Sequence, residues 1–66
     1  MEKVVNQILK YRKEKGVTQE ELAQHLGVSR QTVIAIEKGN YSPSICLALK
    51  LAHFFNQPVE KLFKLC

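Results

Sequence analysis

The chain has 66 residues, 45% of them hydrophobic, with no Trp, ten Lys and Arg against six Asp and Glu, and a formal charge of +4 at pH 7. This is room for one domain, residues 1–66, with too little interior for a pocket of converging catalytic groups, so a binding protein is expected and not an enzyme. Two cysteines, Cys46 and Cys66, do not make a disulfide scaffold. No apolar run approaches the ~20 residues of a bilayer span, and Met1-Glu2-Lys3-Val4-Val5-Asn6-Gln7 turns polar too soon for a signal peptide. A reduced, cytoplasmic protein without a membrane partner is the expectation. The positive balance favours a polyanion as partner, although many housekeeping proteins share it.

Glycine and proline at Gly16, Gly27, Gly39, Pro43 and Pro58 divide the chain into stretches whose apolar residues follow helical spacing, with no alternation of period two. Five short helices follow. The first is predicted from about Glu2 to Lys15, with Val5, Ile8, Leu9 and Arg12 on one face and Gly16 as its left-handed terminus. Its basic last turn, Lys10, Arg12, Lys13 and Lys15, suits either the negative end of the helix dipole or contact with phosphates. Thr18-Gln19-Glu20-Glu21 is a capping box that starts a second helix at Gln19, which buries Leu22, Ala23 and Leu26 and stops at Gly27.

Ser29 caps a third helix running to about Lys38, only Val28 separating it from Gly27. Gly39 and Asn40 end it, and Tyr41-Ser42-Pro43-Ser44 leads into a fourth helix from Ser44 to Phe55. There Ile45, Ala48, Leu51, Ala52 and Phe55 are predicted to face inward. Pro58 opens a fifth helix that buries Val59, Leu62 and Phe63. The expected fold is all-α, an orthogonal bundle of five helices.

Helices two and three, joined by so short a turn, make a helix-turn-helix. Leu22 and Leu26 face inward, Ala23 is small where the helices cross, Gly27 occupies the turn, Val28 plugs beneath it, and Val33 and Ile36 anchor the third helix. Seven constrained positions within eighteen residues are a specific pattern. Here the chain resembles the Cro/C1-type, or Xre-like, helix-turn-helix DNA-binding family, whose fold is lambda-repressor-like. The resemblance rests on Tyr11-Arg12 before Gly16, Val17-Thr18-Gln19-Glu20-Glu21-Leu22-Ala23, Gly27-Val28-Ser29-Arg30-Gln31-Thr32, Ile36-Glu37-Lys38-Gly39, Tyr41-Ser42-Pro43-Ser44 and Leu62-Phe63. It covers essentially the whole chain and is strongest toward minimal members in which the DNA-binding domain is the entire protein, which implies a homodimeric regulator of transcription.

Independently of the family, turning ~100° per residue leaves Arg30, Gln31, Ile34, Ala35 and Lys38 on the outward face of helix three. Arginine pairs with guanine O6 and N7, and glutamine with adenine N6 and N7, across the major groove. Arg30, Gln31, Ile34 and, with them, Thr32 and Ala35 are therefore the candidate base-reading residues. Ile34 is either a contact for a thymine methyl or a solitary surface hydrophobe. Gln19, at a helix N-terminus, and Lys38, Asn40, Tyr41 and Ser42, in the loop after the third helix, are candidates for phosphate. The ring of Tyr41 has packing on the bundle as its alternative. The resemblance further implies that Arg12 and Glu37 form a structural ion pair.

Cys46, Lys50 and His53 share a face of helix four, yet two possible ligands do not make a zinc site, and no cofactor or metal is expected. His25 reads as a surface residue. Leu47, Phe54 and Leu65 form an apolar surface that a two-fold partner would cover, unless helix four turns so as to bury them. The reading is a repressor that occupies a palindromic operator as a homodimer. Its rival is an antitoxin or another protein-interaction module with secondary DNA binding, although no toxin-wrapping tail follows Cys66.

Overall fold

Side-chain oxygens start three of the helices. The computed structural model describes residues 3–65, and in it Thr18 Oγ1 accepts from Glu21 N–H at 3.0 Å, Ser29 Oγ from Thr32 N–H at 3.2 Å and Ser44 Oγ from Leu47 N–H at 3.2 Å. At Thr18 the box is complete, because Glu21 Oε1 accepts from the cap residue's own N–H at 2.8 Å. These bonds satisfy amides that have no partner inside a helix. In chain order the elements are β1 (Val4–Asn6), α1 (Ile8–Lys15), α2 (Gln19–Leu26), α3 (Arg30–Lys38), α4 (Ile45–Phe55), α5 (Val59–Leu62) and β2 (Phe63–Leu65).

Three residues, Gly27, Val28 and Ser29, connect α2 to α3. Gly27 adopts φ 72°, and its own N–H together with that of Val28 closes the helix onto Gln24 O and Ala23 O. A Cβ built on Gly27 meets nothing within 4 Å, so the requirement for glycine here is the left-handed backbone and not space.

The core draws Ile8 from α1, Leu22, Ala23 and Leu26 from α2, Val33 and Ile36 from α3, Leu47, Leu51 and Phe55 from α4 and Leu62 from α5. Tyr11, Val28, Ala52, Phe54 and Phe63 pack on it half-buried. The helix-turn-helix thus contributes half of the ten buried side chains, which makes the position of α3 a property of the core and not of a peripheral hairpin.

Three expectations need correction. The first helix starts at Ile8: the segment before it is a strand, β1, paired antiparallel with β2 in the register Val4↔Leu65, Val5↔Lys64 and Asn6↔Phe63. Gln7 N–H donates to Leu62 O at 2.9 Å and Asn6 Oδ1 accepts from Ile8 N–H at 3.1 Å, so the chain is drawn off the helical path before α1 begins. Val5 accordingly lies exposed in a strand, and Leu9, about 100° around α1 from the buried Ile8, is exposed. Phe63, expected on the fifth helix, begins β2.

The third correction concerns the rotation of α4. Leu47, assigned above to a dimer surface, is buried in the core, whereas Ile45, assigned to the core, is 80% exposed. Nine of the eleven residues of α4 are apolar, with only Lys50 and His53 polar, so apolar spacing leaves its inward face undefined. Packing chooses the Leu47, Leu51, Phe55 stripe, at intervals of four residues, and leaves Ile45 and Leu49 in solvent.

Candidate nucleic-acid interface

α3 emerges with its first turn uncovered. Arg30 and Gln31 are exposed there, Ile34 and Ala35 are half-buried farther along, and Lys38 is exposed at the C-terminal end. Val33 and Ile36, each 1% exposed, pin the opposite face. Thr32 is half-buried, and its hydroxyl lies 3.0 Å from Ser29 Oγ in a hydrogen bond, which occupies it in closing the N-terminus of α3. No acidic residue stands in the first turn of α3, so its uncapped amides and the Arg30 guanidinium present positive potential together.

A network around one carboxylate holds α3 from behind. Arg12 Nε donates to Glu37 Oε2 at 2.5 Å, and the two side chains are only 12% and 6% exposed. Arg12 Nη1 donates to Val17 O at 3.0 Å, which extends the tie to the turn before α2. Gln19 Nε2 donates to Glu37 Oε1 at 2.9 Å. Gln19, considered above for phosphate, therefore spends a side-chain N–H inside the protein, and this part in the network had no signature in the sequence. Helices α1, α2 and α3 meet on Glu37, so the separation between the start of α2 and the face of α3 is set by hydrogen bonds as well as by the core.

In front of that network a cleft of about 470 Å³ opens between the start of α2 and the start of α3, with Gln19, Glu20 and Arg30 on its rim. Glu21 has its carboxyl held below the ordinary glutamate range by the hydrogen bond from Thr18 N–H, with a smaller contribution from the Thr18 hydroxyl. Because that carboxylate and Thr18 satisfy each other, the first-turn amides of Gln19 and Glu20 are what α2 has left to offer an anion.

At the far end of α3, Asn40, Tyr41 and Ser42 are exposed in the loop to α4, the Tyr41 ring at 45% and so not packed into the bundle. Arg30, Gln31, Lys38 and this loop are all exposed. The remaining candidates lie elsewhere. Phe54 is half-buried, 4.8 Å from the His25 ring and 5.0 Å from Phe55 between centroids, and Leu65 is 70% exposed on β2. Among the described residues no group of three His, Cys, Asp or Glu side chains is placed to hold a metal ion, and no helix is long and apolar enough to cross a membrane.

The family model described as helix-turn-helix matches residues 8–62, and the chain belongs to this Cro/C1-type helix-turn-helix family of DNA-binding transcriptional regulators. An uncharacterised HTH-type transcriptional regulator of Methanocaldococcus jannaschii is 55% identical over 58 residues, covering 88% of each chain. The cryptic phage CTXphi transcriptional repressor RstR of Vibrio cholerae is 41% identical over 51 residues, which are 77% of this chain and 46% of that protein. Among solved structures, the restriction-modification controller protein C.AhdI of Aeromonas hydrophila superposes with a TM-score of 0.76 at 31% identity, over 83% of each chain. The matched region contains all five helices.

Proposed function

We propose that this protein is a cytoplasmic repressor that binds a palindromic operator as a homodimer, by occupancy and without chemistry. The observation that carries the reading is the open first turn of α3, where Arg30 and Gln31 stand exposed on a helix locked in place through Glu37. In this reading Arg30 and Gln31 address base edges in the major groove and Ile34 and Ala35 meet thymine methyl groups. Thr32 stays with its cap. The amides of Gln19 and Glu20, with Lys38, Asn40, Tyr41 and Ser42, hold phosphates on either side.

Leu47 being buried, the surface for a second copy moves to the outer face of α4. Ile45 and Leu49, 80% and 58% exposed, border an apolar groove of about 740 Å³ with His53 and Phe54. A two-fold pair would set two reading helices about 34 Å apart. That the relative RstR is a phage repressor supports repression over activation. Selection from a pool of random duplexes tests the proposal: enrichment of a palindrome with half-sites one helical turn apart is expected. A single unrepeated half-site would refute the dimer, and no enrichment would refute sequence-specific recognition. Copurification with a small neighbouring protein would favour the antitoxin reading instead.

A further inference from the structure

A second cleft, of about 680 Å³, lies between β1 and the turn that leaves α3. Lys3 and Asn6 stand on one wall, and Glu37, Lys38, Asn40 and Ser42 on the other. Its walls are fastened to each other. Asn6 Nδ2 donates to Ile36 O at 2.8 Å, across 30 residues of sequence, so the strand is tied to the last turn of α3. The same asparagine faces Phe63 in the ladder and caps Ile8 N–H, which leaves β1 little freedom to drift from the helix.

The charge of this cleft is one-sided. Among the described residues Glu37 is the one acid that lines it, and that carboxylate is already held by Arg12 and Gln19 with its side chain 6% exposed. Among the described residues neither Lys3 nor Lys38 has a carboxylate within ion-pairing distance. Two ammonium groups, an exposed amide and an exposed hydroxyl thus line a groove continuous with the Lys38–Ser42 loop.

We infer that this groove is a further phosphate-binding site, in which Lys3 joins Lys38 on the backbone of the same duplex that α3 reads. The inference rests on the DNA-binding reading above and adds the N-terminal strand to the contact surface. Asn6 acts as its positioning residue: by bonding to Ile36 O it sets the distance of Lys3 from the end of the reading helix.

The test is the salt dependence of binding by the full chain, read by fluorescence anisotropy between 50 and 200 mM KCl on a selected duplex and on a random one. Losing one phosphate contact reduces the slope of log K against log salt by about 0.9. For Lys3→Ala the loss of affinity over a fourfold rise in salt should therefore be about 3.5-fold smaller than for the wild type, equally on both duplexes. Lys3→Arg should restore the slope. Lys61→Ala removes the same charge from α5, where Lys61 borders a different cleft, and should leave the slope near that of the wild type. Since Lys3 is exposed, its removal should not lower the melting temperature. A wild-type slope for Lys3→Ala, or an equal fall for Lys61→Ala, would overturn the site while leaving recognition by α3 intact; a wild type that binds neither duplex would overturn both.

Discussion

Replacing Arg12 by Met should be among the most damaging single changes available to this domain. Met keeps most of the apolar stem, so the variant removes charge and donors with little loss of packing. What remains is a Glu37 carboxylate 6% exposed, with Gln19 as its one side-chain donor. Removing one partner of a pair this deeply placed costs about 3–5 kcal/mol, against about 0–1 kcal/mol for a pair in solvent. At about 0.05–0.15 kcal/mol per residue, a chain of 66 residues has a total stability of only about 3–10 kcal/mol. A loss of about 3 kcal/mol corresponds to a fall in melting temperature of about 12–24 °C for a domain of this size. Urea unfolding of wild type, Arg12→Met and the double variant Arg12→Met/Glu37→Gln measures it. The second substitution neutralises the stranded group but keeps an acceptor for Gln19, so the double variant should regain at least about 1 kcal/mol over the single. A single-variant loss under about 1 kcal/mol, or a further loss in the double, would refute the claim that Glu37 is the buried hub of the three helices.

Three other outcomes follow from particular residues. Glu21 has a folded pKa below its unfolded value, which is about 4.3 for a free glutamate, so its contribution to stability is present above that pH and is lost as pH falls through the folded value; urea titrations should show Glu21→Gln with a flatter acid limb than the wild type. Leu47→Ala should cost about 2–5 kcal/mol in chemical denaturation because Leu47 is 7% exposed, whereas Ile45→Ser, at a position 80% exposed, should change monomer stability by no more than about 0.5 kcal/mol; the reverse order would mean that α4 is rotated as its sequence suggested. Arg30→Ala should relax discrimination at one base pair by about 1–3 kcal/mol while Lys38→Ala weakens selected and random duplexes alike, and equal losses on both duplexes for Arg30→Ala would remove it from base reading.

The parts of this molecule that could be read in advance are those written within a few residues of one another. Thr18 with Glu21, Ser29 with Thr32, and Gly27 with Val28 are local devices whose chemistry acts over three or four positions, and in α2 and α3 polar residues interrupt the apolar ones often enough to define a face. α4 lacks those interruptions. With nine apolar residues in eleven, its sequence is compatible with more than one inward stripe, and the choice between Ile45 and Leu47 was made by helices elsewhere in the chain. The two strands have the opposite difficulty: three residues each is too short for an alternation to register, and their partners lie at opposite ends of the chain.

The same division runs through the candidate interface. Arg30 and Gln31 could be named from helical phase alone, because a helix anchored by Val33 and Ile36 has only one face left. What holds that helix could not be read from phase: the Arg12–Glu37 pair came from the family resemblance alone, and the bonds from Gln19 and Asn6 were not anticipated at all. The bonds to Glu37 and Ile36 O span 18, 25 and 30 residues, from Gln19, Arg12 and Asn6 respectively, and nothing in the local sequence of any donor marks its acceptor. Base-reading residues need only be exposed, whereas the groups that aim them must reach across the fold. A variant surface on α3 could therefore change which operator is read without disturbing the frame, while changes at Asn6, Arg12 or Gln19 would alter the aim of every residue on α3 together.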